Sequence, residues 1–206
     1  MISRHVIFWE VDTQRDFMLP GGTLYVPGAE KLLSNIRKLT QAARDGRVFL
    51  VSHGCFHTPD DPEFKAFPPH CVKGTSGAEY VPEALTDKVF RIPNEKSAAL
   101  PANLFQYQQV LLEKQTLDVF ESCHADALVK SLPKDAEFVV FGVFTEYCVA
   151  FAAKGLLKRG RRVSVVQDAI ETLKPEDGQK TISELQALGA RFLTTDQALA
   201  LLNRHD

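Results

Sequence analysis

The regular alternation of short apolar runs with longer stretches of helical periodicity constrains this chain more than any other feature of the sequence. Six runs rich in β-branched residues predict strands, and helical stretches separate most of them. These runs are His5–Asp12, Arg47–His53, Gln109–Lys114, Glu137–Val143, Arg162–Gln167 and Arg191–Thr195. Such alternation is typical of βαβ units. We therefore predict an α/β fold with three layers, α-β-α, in which a mainly parallel six-stranded sheet carries helices on both faces.

The predicted helices have clear end signals. They cover Ala29–Arg44, His124–Ser131, Tyr147–Arg159, Pro175–Leu188 and Asp196–Asn203. Gly160 follows two cations at the end of one helix, as a glycine C-cap does, and Pro175 suits a first helical position because no N–H is needed there. Residues 54–102 differ, being rich in Pro, Gly and His with one short strand-like run, Lys88–Ile92. Such a long irregular segment in a compact domain is usually functional.

Length, charge and cysteine spacing limit the classes of function. A chain of 206 residues that is 45% hydrophobic can bury one sizeable core, and we expect a single domain over residues 1–206. A net charge of -2 gives no reason to expect a nucleic acid or a membrane surface as partner. The N-terminal apolar run is too short for a signal peptide or a spanning helix, so we expect a cytoplasmic protein. The four cysteines lack CxxC spacing, which favours individual thiols, and Cys71 and Cys123 are expected to be structural.

A carboxylate follows the first predicted strand. The segment VDTQRDF, residues 11–17, places Asp12 at the carboxyl end of that strand, which is the edge where open α/β sheets build their sites. An aspartate at this point also suits a turn or a helix cap for local reasons. Asp12 is therefore a candidate catalytic carboxylate, with a turn residue as the alternative.

A cysteine lies in a strand-to-helix turn. The segment GVFTEYCV, residues 142–149, runs from a predicted buried strand into a helix whose first turn holds Cys148. The partial positive charge of a helix N-terminus and a nearby ammonium lower the pKa of a cysteine, and the free N–H groups there can receive an oxyanion. Cys148 is therefore a candidate nucleophile, with a buried structural cysteine as the alternative.

Together with a lysine at the end of a third strand, these segments resemble isochorismatase-like cysteine hydrolases. VDTQRDF is similar to their first-strand aspartate motif, EKQTLDVF to their lysine motif and GVFTEYCV to their nucleophile turn. The resemblance covers nearly the whole chain. It implies a Rossmann-like hydrolase fold with Asp12, Lys114 and Cys148 as the catalytic triad. Most lysines are solvated, and Lys96 is a rival, but Lys114 is preferred because it ends a strand and Phe120 follows at the family's approximate spacing.

The resemblance also implies a mechanism. Asp12 would take the thiol proton of Cys148, and Lys114 would hold the resulting thiolate. The thiolate would attack an amide carbonyl, with the backbone N–H groups of Phe144 and Cys148 as the oxyanion hole, and water would hydrolyse the thioester. Family members carry a cis peptide in this turn, which corresponds here to Val143–Phe144.

A second resemblance bears on a metal. Residues 67–79, FPPHCVKGTSGAE, resemble the nicotinamidase segment that supplies an aromatic ring and a ligand histidine, here Phe67 and His70. Upstream, nicotinamidases have an Asp-aromatic-His element and another His six residues later. Carried over literally, the ligands of a divalent Zn, Mn or Fe ion would be Cys55, His57, Glu63 and His70, and no organic cofactor is implied. Because Cys55 and Glu63 depart from the family's set, hydrogen-bonded loop histidines without a metal stay an open alternative.

The resemblance places three aromatic residues around the cleft. Phe17, Phe67 and Tyr147 are candidates to sandwich a flat substrate ring, with ordinary core packing as the alternative. His53 is a secondary candidate for the metal.

Three functions compete. The first is hydrolysis of a small nicotinamide-like carboxamide to the acid and ammonia, with other carbamoyl or ureido compounds as further substrates. The second is isochorismatase-type vinyl-ether hydrolysis, which needs no cysteine nucleophile and is disfavoured by the intact Cys148 turn. The third is a catalytically silent binding protein. Homo-oligomers are frequent among relatives, although no feature of this sequence identifies an interface.

Overall fold

A parallel sheet forms the centre of the protein. The computed structural model describes the backbone of residues 3–203 and the side chains of residues 5–203, so Met1 and Ile2 of the apolar N-terminal run lie outside it. The strands are β1 (Ser3–Val11), β2 (Val48–Cys55), β3 (Val89–Ile92), β4 (Gln109–Lys114), β5 (Glu137–Val143), β6 (Arg162–Glu171) and β7 (Arg191–Leu193). They pair in parallel in the order β3-β4-β2-β1-β5-β6-β7.

The prediction of a parallel α/β sheet is confirmed, but the predicted number of six strands is wrong. The seventh strand, β3, is the short run in the irregular segment, and it pairs only with β4 at the edge of the sheet. Three of its four residues are partly or fully exposed. An edge strand this short has no continuous buried pattern, which is why its sequence signal is weak.

Within residues 3–203, six α-helices connect or flank the strands. They are α1 (Arg15–Met18), α2 (Leu33–Arg44), α3 (Ala125–Ser131), α4 (Ala150–Lys158), α5 (Pro175–Ala187) and α6 (Thr195–Ala200). The five predicted helices all form, and α1 is an additional single turn. Tighter or wider turns complete three of them: a 3-10 turn at Ala29–Leu32 precedes α2, a π-helical turn at Thr145–Val149 precedes α4, and a 3-10 turn at Leu201–Asn203 follows α6. Within residues 3–203, no helix is long and apolar enough to cross a membrane.

The strands divide their side chains between two cores. Successive residues of a strand point to opposite faces of the sheet. Phe8 therefore packs into the core that contains residues of α2 and α6, whereas Ile7 and Trp9 pack into the core that contains residues of α3, α4 and α5. Helices thus cover both faces, as the three-layer prediction requires.

The order of the strands determines where a site can form. The chain continues from β1 to β2 on one side, whereas β5 pairs with the other side of β1. A reversal of this kind leaves a crevice at the carboxyl ends of the strands. The four adjacent strands β4, β2, β1 and β5 end at Lys114, Cys55, Val11 and Val143.

Candidate active site

Asp12 begins the loop after β1 and is fully buried. Its backbone N–H donates to the carbonyl oxygen of His53, 2.9 Å away, and its φ of 50° lies in the left-handed region. Aspartate adopts this region more readily than most residues do. The carboxylate is therefore held beneath the crevice by the backbone, as a site residue requires, and is not a solvated turn residue.

Lys114 brings three groups of the site together. Its Nζ atom lies 3.0 Å from Oδ2 of Asp12, 2.9 Å from Sγ of Cys55 and 3.6 Å from Sγ of Cys148. Burial favours the neutral amine, yet Asp12 and the two sulfur atoms outweigh it and raise the pKa of Lys114 well above its usual range. A fully buried ammonium thus contacts each of these groups. Lys96, the rival from the sequence, is exposed.

Cys148 lies in the π-helical turn that joins β5 to α4. Turns of this type are frequent at functional sites. The preceding Val143–Phe144 peptide bond is cis, as the resemblance implies, and the carbonyl oxygen of Phe144 accepts from the N–H groups of Tyr147 and Val149. These bonds fix the turn that contains Phe144 and Cys148, the two predicted oxyanion donors.

The protonation of Cys148 differs from the sequence-based expectation. Burial, followed by the nearby Asp12 carboxylate, raises the pKa of the Cys148 thiol well above its usual range, and Lys114 opposes this only in part. The helix terminus and the ammonium do not prevail, because the thiol is 2% exposed and an anion lies beside it. These surroundings favour the thiol form of Cys148, so a nucleophilic role for this residue requires a base beside it.

His53, the secondary metal candidate, belongs to this part of the site. Its Nδ1 atom lies 3.7 Å from Oδ1 of Asp12, and its ring packs against Trp9. Burial lowers the pKa of His53 to about 3, so the ring is neutral. Within the described part of the chain it is not one of the residues that gather as a metal-binding group.

The structure brings three of the four predicted metal ligands together. One donor atom each from Cys55, His57 and His70 lies within 4.8 Å of the others, and all three residues are buried. Glu63 is at the side of this group, with Oε1 3.7 Å from Nε2 of His70. Burial raises the pKa of the Glu63 carboxyl.

The hydrogen bonds of the two histidines suit a metal. Nδ1 of His70 donates to the carbonyl oxygen of Pro68 at 2.7 Å, and Nδ1 of His57 lies 2.9 Å from Oδ2 of Asp61. Metal-binding histidines typically use one ring nitrogen in this way, which fixes the other as the ligand. Nε2 of His57 is buried and has no hydrogen-bond partner among the residues that the structure describes. The donor set therefore fits a divalent cation.

A narrow apolar cavity lies above the sulfur of Cys148. The three predicted substrate-binding aromatics, Phe17, Phe67 and Tyr147, all line it, and the Phe67 and Tyr147 rings meet edge to face at 6.1 Å. The remaining lining residues are Leu24, Cys55, Glu63, His70, Leu117, Phe144, Cys148 and Leu173. Glu63 is the one carboxyl group among these residues, and none of them is a lysine or arginine.

Three positioning residues were not found from the sequence. The Gln14 side chain accepts from the N–H of Cys55 at 2.7 Å and donates to its carbonyl oxygen, which fixes that residue's backbone. Asp61 holds His57. The Glu146 carboxylate accepts from two backbone N–H groups of the loop that carries Leu173. Polar loop residues such as these have no distinctive spacing, and the Gln14 position within VDTQRDF is the one available signal.

Comparison with known proteins agrees with this geometry. The isochorismatase domain family matches residues 7–197. Two curated relatives are nicotinamidases. The nicotinamidase of Escherichia coli (strain K12) is 26% identical over 207 residues, covering 89% of this chain and 92% of the relative. The nicotinamidase of Saccharomyces cerevisiae is 27% identical over 217 residues, covering 86% and 94%.

A solved structure shares the fold. The pyrazinamidase of Pyrococcus horikoshii in complex with zinc is 26% identical, with a TM-score of 0.74 over 92% of this chain and 99% of that one. Because the family match extends over most of its length, this chain belongs to the isochorismatase family, in the branch of the nicotinamidases and pyrazinamidases.

Proposed function

We propose that this chain hydrolyses a small neutral carboxamide to the acid and ammonia, with Cys148 as the nucleophile. The observation that carries the proposal is the buried Lys114 ammonium, which contacts the Asp12 carboxylate and the Cys148 sulfur. A nucleophile that lines the cavity, with a base and a cation in contact behind it, provides the groups that acyl transfer through a thioester needs.

Proton transfer begins the reaction. Because the resting Cys148 is a thiol, Asp12 acts as general base and accepts its proton when substrate occupies the cavity. Lys114 lies 3.6 Å from the sulfur and stabilises the thiolate as it forms. The negative charge thus moves from Asp12 to the sulfur, and the Lys114 ammonium contacts both groups.

Acyl transfer follows. The thiolate attacks the amide carbonyl carbon, and the N–H groups of Phe144 and Cys148 stabilise the oxyanion. Asp12 then returns its proton to the leaving nitrogen, so that ammonia departs and a thioester remains on Cys148. Water attacks the thioester and Asp12 removes its proton, which releases the acid and restores the thiol.

The residues that would bind the family's metal lie beside the proposed catalytic residues. Cys55, His57 and His70 would hold it, and Glu63 lies beside them. When bound, a divalent cation supplies Lewis acidity that orients or polarises a donor atom of the substrate. His57 and His70 then act as fixed ligands, each oriented by the hydrogen bond at its Nδ1 atom.

The cavity favours a flat, uncharged substrate. Four aromatic side chains, Phe17, Phe67, Phe144 and Tyr147, contribute to its walls, and no lysine or arginine lines it. An anionic substrate such as isochorismate meets the Glu63 carboxyl and finds no lysine or arginine among the lining residues. These features support a nicotinamide-like amide, the substrate class named by the relatives, over vinyl-ether hydrolysis.

The test is ammonia release from a panel of small carboxamides and ureido compounds that includes nicotinamide. We expect the wild-type protein to release ammonia from at least one neutral amide and Cys148→Ala to release none above background, while circular dichroism shows both to be folded. Cys123→Ser, which changes the exposed cysteine, is the matched control and should retain activity. No release by a folded wild-type protein supplied with Zn²⁺, Mn²⁺ or Fe²⁺, or equal release by Cys148→Ala, would overturn the proposal.

A further inference from the structure

Cys55 occupies an unusual position between two sites. It lines the cavity together with Cys148 and is also one of the three residues whose donor atoms gather as a metal-binding group. On its other side, its sulfur lies 2.9 Å from the Nζ atom of Lys114. One sulfur atom therefore faces both the metal-binding histidines and the catalytic cation.

The fold gives Cys55 this position. It is the last residue of β2 and pairs in register with Lys114, the last residue of β4, so the two side chains leave the sheet side by side. The Gln14 amide holds the N–H and the carbonyl group of Cys55 at 2.7 and 2.6 Å. Strand pairing with β4 and the Gln14 hydrogen bonds hold the backbone of Cys55, and this fixes the position of its sulfur.

The partners of this sulfur indicate a ligand. The buried Nε2 atom of His57 has no hydrogen-bond partner, and the second ring nitrogen of His57 is already fixed by Asp61. His70 has the same arrangement, with Nδ1 bound to Pro68 and Nε2 directed toward Glu63. Two preoriented imidazole nitrogens and one sulfur within 4.8 Å of one another are a suitable set for a cation that binds three protein ligands and keeps one position open.

We infer that Cys55 binds the divalent cation as a thiolate while it accepts a hydrogen bond from Lys114, so that this site selects thiophilic Zn²⁺ or Co²⁺ over Mn²⁺. The metal–sulfur bond forms as the thiol proton passes to solvent. The Lys114 hydrogen bond then orients the bound sulfur, as outer hydrogen bonds commonly do for ligands. Sulfur ligands favour the softer cations, whereas Mn²⁺ prefers oxygen ligands.

This inference concerns metal binding alone. It requires neither a substrate nor turnover, so it can fail while amide hydrolysis succeeds, and the reverse also holds. Its consequence is that Lys114 links the metal to the nucleophile, because the same ammonium contacts the sulfur atoms of Cys55 and Cys148.

The experiment uses the full chain and cations alone. Metal is removed with a chelator, and the protein is dialysed against Zn²⁺, Co²⁺ or Mn²⁺ and analysed for bound metal. We expect one Zn²⁺ or Co²⁺ per chain, less Mn²⁺ at the same free concentration, and a sulfur-to-Co²⁺ charge-transfer absorption in the near ultraviolet. Cys55→Ser should lose this absorption.

Three further variants make the assignment specific. Cys148→Ser and Cys123→Ser remove other thiols and should retain the absorption. Cys55→Asp supplies an oxygen ligand at the same place, and it should bind metal without the absorption and show a smaller preference for Zn²⁺ over Mn²⁺. This variant also keeps the test decisive where Cys55→Ser does not fold. A wild-type protein that binds no cation, that binds Co²⁺ without the absorption, or that prefers Mn²⁺ would overturn the inference, as would persistence of the absorption in Cys55→Asp.

Discussion

The Nζ atom of Lys114 lies 3.0 Å from Oδ2 of Asp12, and neither side chain is exposed to solvent. Water cannot screen either charge, so each depends on the other. Removing one partner of such a pair leaves an uncompensated buried charge, whereas removing both does not. Each charge is thus needed to compensate the other in the folded state, and the proposed chemistry uses both.

We predict that Lys114→Met lowers the free energy of unfolding by about 3–5 kcal/mol and abolishes activity. The double variant Asp12→Asn/Lys114→Met should be less destabilised than the sum of the two single variants, because it has no unpaired charge. Urea denaturation of the four proteins measures this coupling. Additive losses within error would show that the two side chains do not stabilise each other.

The two histidines proposed to bind a metal allow a test at a residue outside the proposed ligand set. Asp61 accepts from Nδ1 of His57 at 2.9 Å, and loss of such an outer partner lowers metal affinity by about 10–100-fold. Asp61→Ala should therefore bind Zn²⁺ about 10–100-fold more weakly in competition with a chromogenic chelator. Asp60→Ala, an exposed neighbour, is the control and should bind as the wild type does. Equal affinities for Asp61→Ala and wild type would contradict the role given to this hydrogen bond.

Asp12, Lys114 and Cys148 were predicted because three segments together resemble a family pattern. Asp12 and Lys114 lie where strands end, and Cys148 lies in the turn after another strand. Their common place in the structure results from strand order, which periodicity alone does not determine. Lys114 had an exposed rival in Lys96, and the difference between them is burial. Burial depends on tertiary packing.

The pKa of Cys148 also depends on tertiary packing, so the sequence alone predicts its direction wrongly. A helix terminus and a lysine are visible in the sequence and favour a thiolate. Burial and the proximity of Asp12 raise the pKa of the thiol instead, and they outweigh the lysine. Both effects exist only in the folded protein. Likewise, the hydrogen bonds of His57 and Cys55 come from Asp61 and Gln14, loop residues whose spacing carries no metal-site signature.

A buried acid in the central strand gives a pH dependence of stability. Burial raises the pKa of Glu10 from an ordinary value of 4.5 to about 8, and Ser52, which donates to it at 2.6 Å, offsets this only in part. Because the folded pKa is the higher one, the folded protein keeps this proton between pH 4.5 and 8 while the unfolded chain loses it. The contribution to stability is complete below pH 4.5 and is lost as the pH rises to about 8.

We therefore predict that Glu10→Gln reduces the decline in unfolding free energy between pH 5 and pH 8, by up to about 1.4 kcal/mol per pH unit. Glutamine has the shape of the protonated acid and does not ionise. Urea denaturation of metal-free protein at several pH values measures the slope, and the exposed Glu121→Gln is the control. If the unfolding free energy of wild type and of Glu10→Gln changes equally with pH, Glu10 is ruled out as the source of the pH dependence.

Gly142 allows the close approach of β5 to the end of β1, next to Asp12. Its φ is +120°, and an added Cβ would lie 2.0 Å from the carbonyl oxygen of Val11, the residue before Asp12. We expect Gly142→Ala to lower the free energy of unfolding by about 3 kcal/mol or more, because backbone atoms cannot yield as a flexible side chain can. Gly46→Ala, at φ +68° with open space around it, should cost only about 1–2 kcal/mol. Equal losses would mean that backbone conformation, and not the contact with Val11, determines the effect.

Phe67 allows binding to be separated from chemistry. Its ring lines the cavity and meets the Tyr147 ring edge to face. It takes no part in the contacts that join Lys114 to Asp12 and Cys148. Phe67→Ala should raise KM for the best amide substrate by about tenfold and leave kcat within about twofold, since one aromatic contact contributes roughly 0.5–1.5 kcal/mol beyond its buried area. Leu188→Ala, which removes a 57% exposed apolar side chain that does not line the cavity, is the control and should change neither constant. A fall in kcat with KM unchanged would show that Phe67 acts on the reacting groups, and the cavity would then need a different substrate orientation.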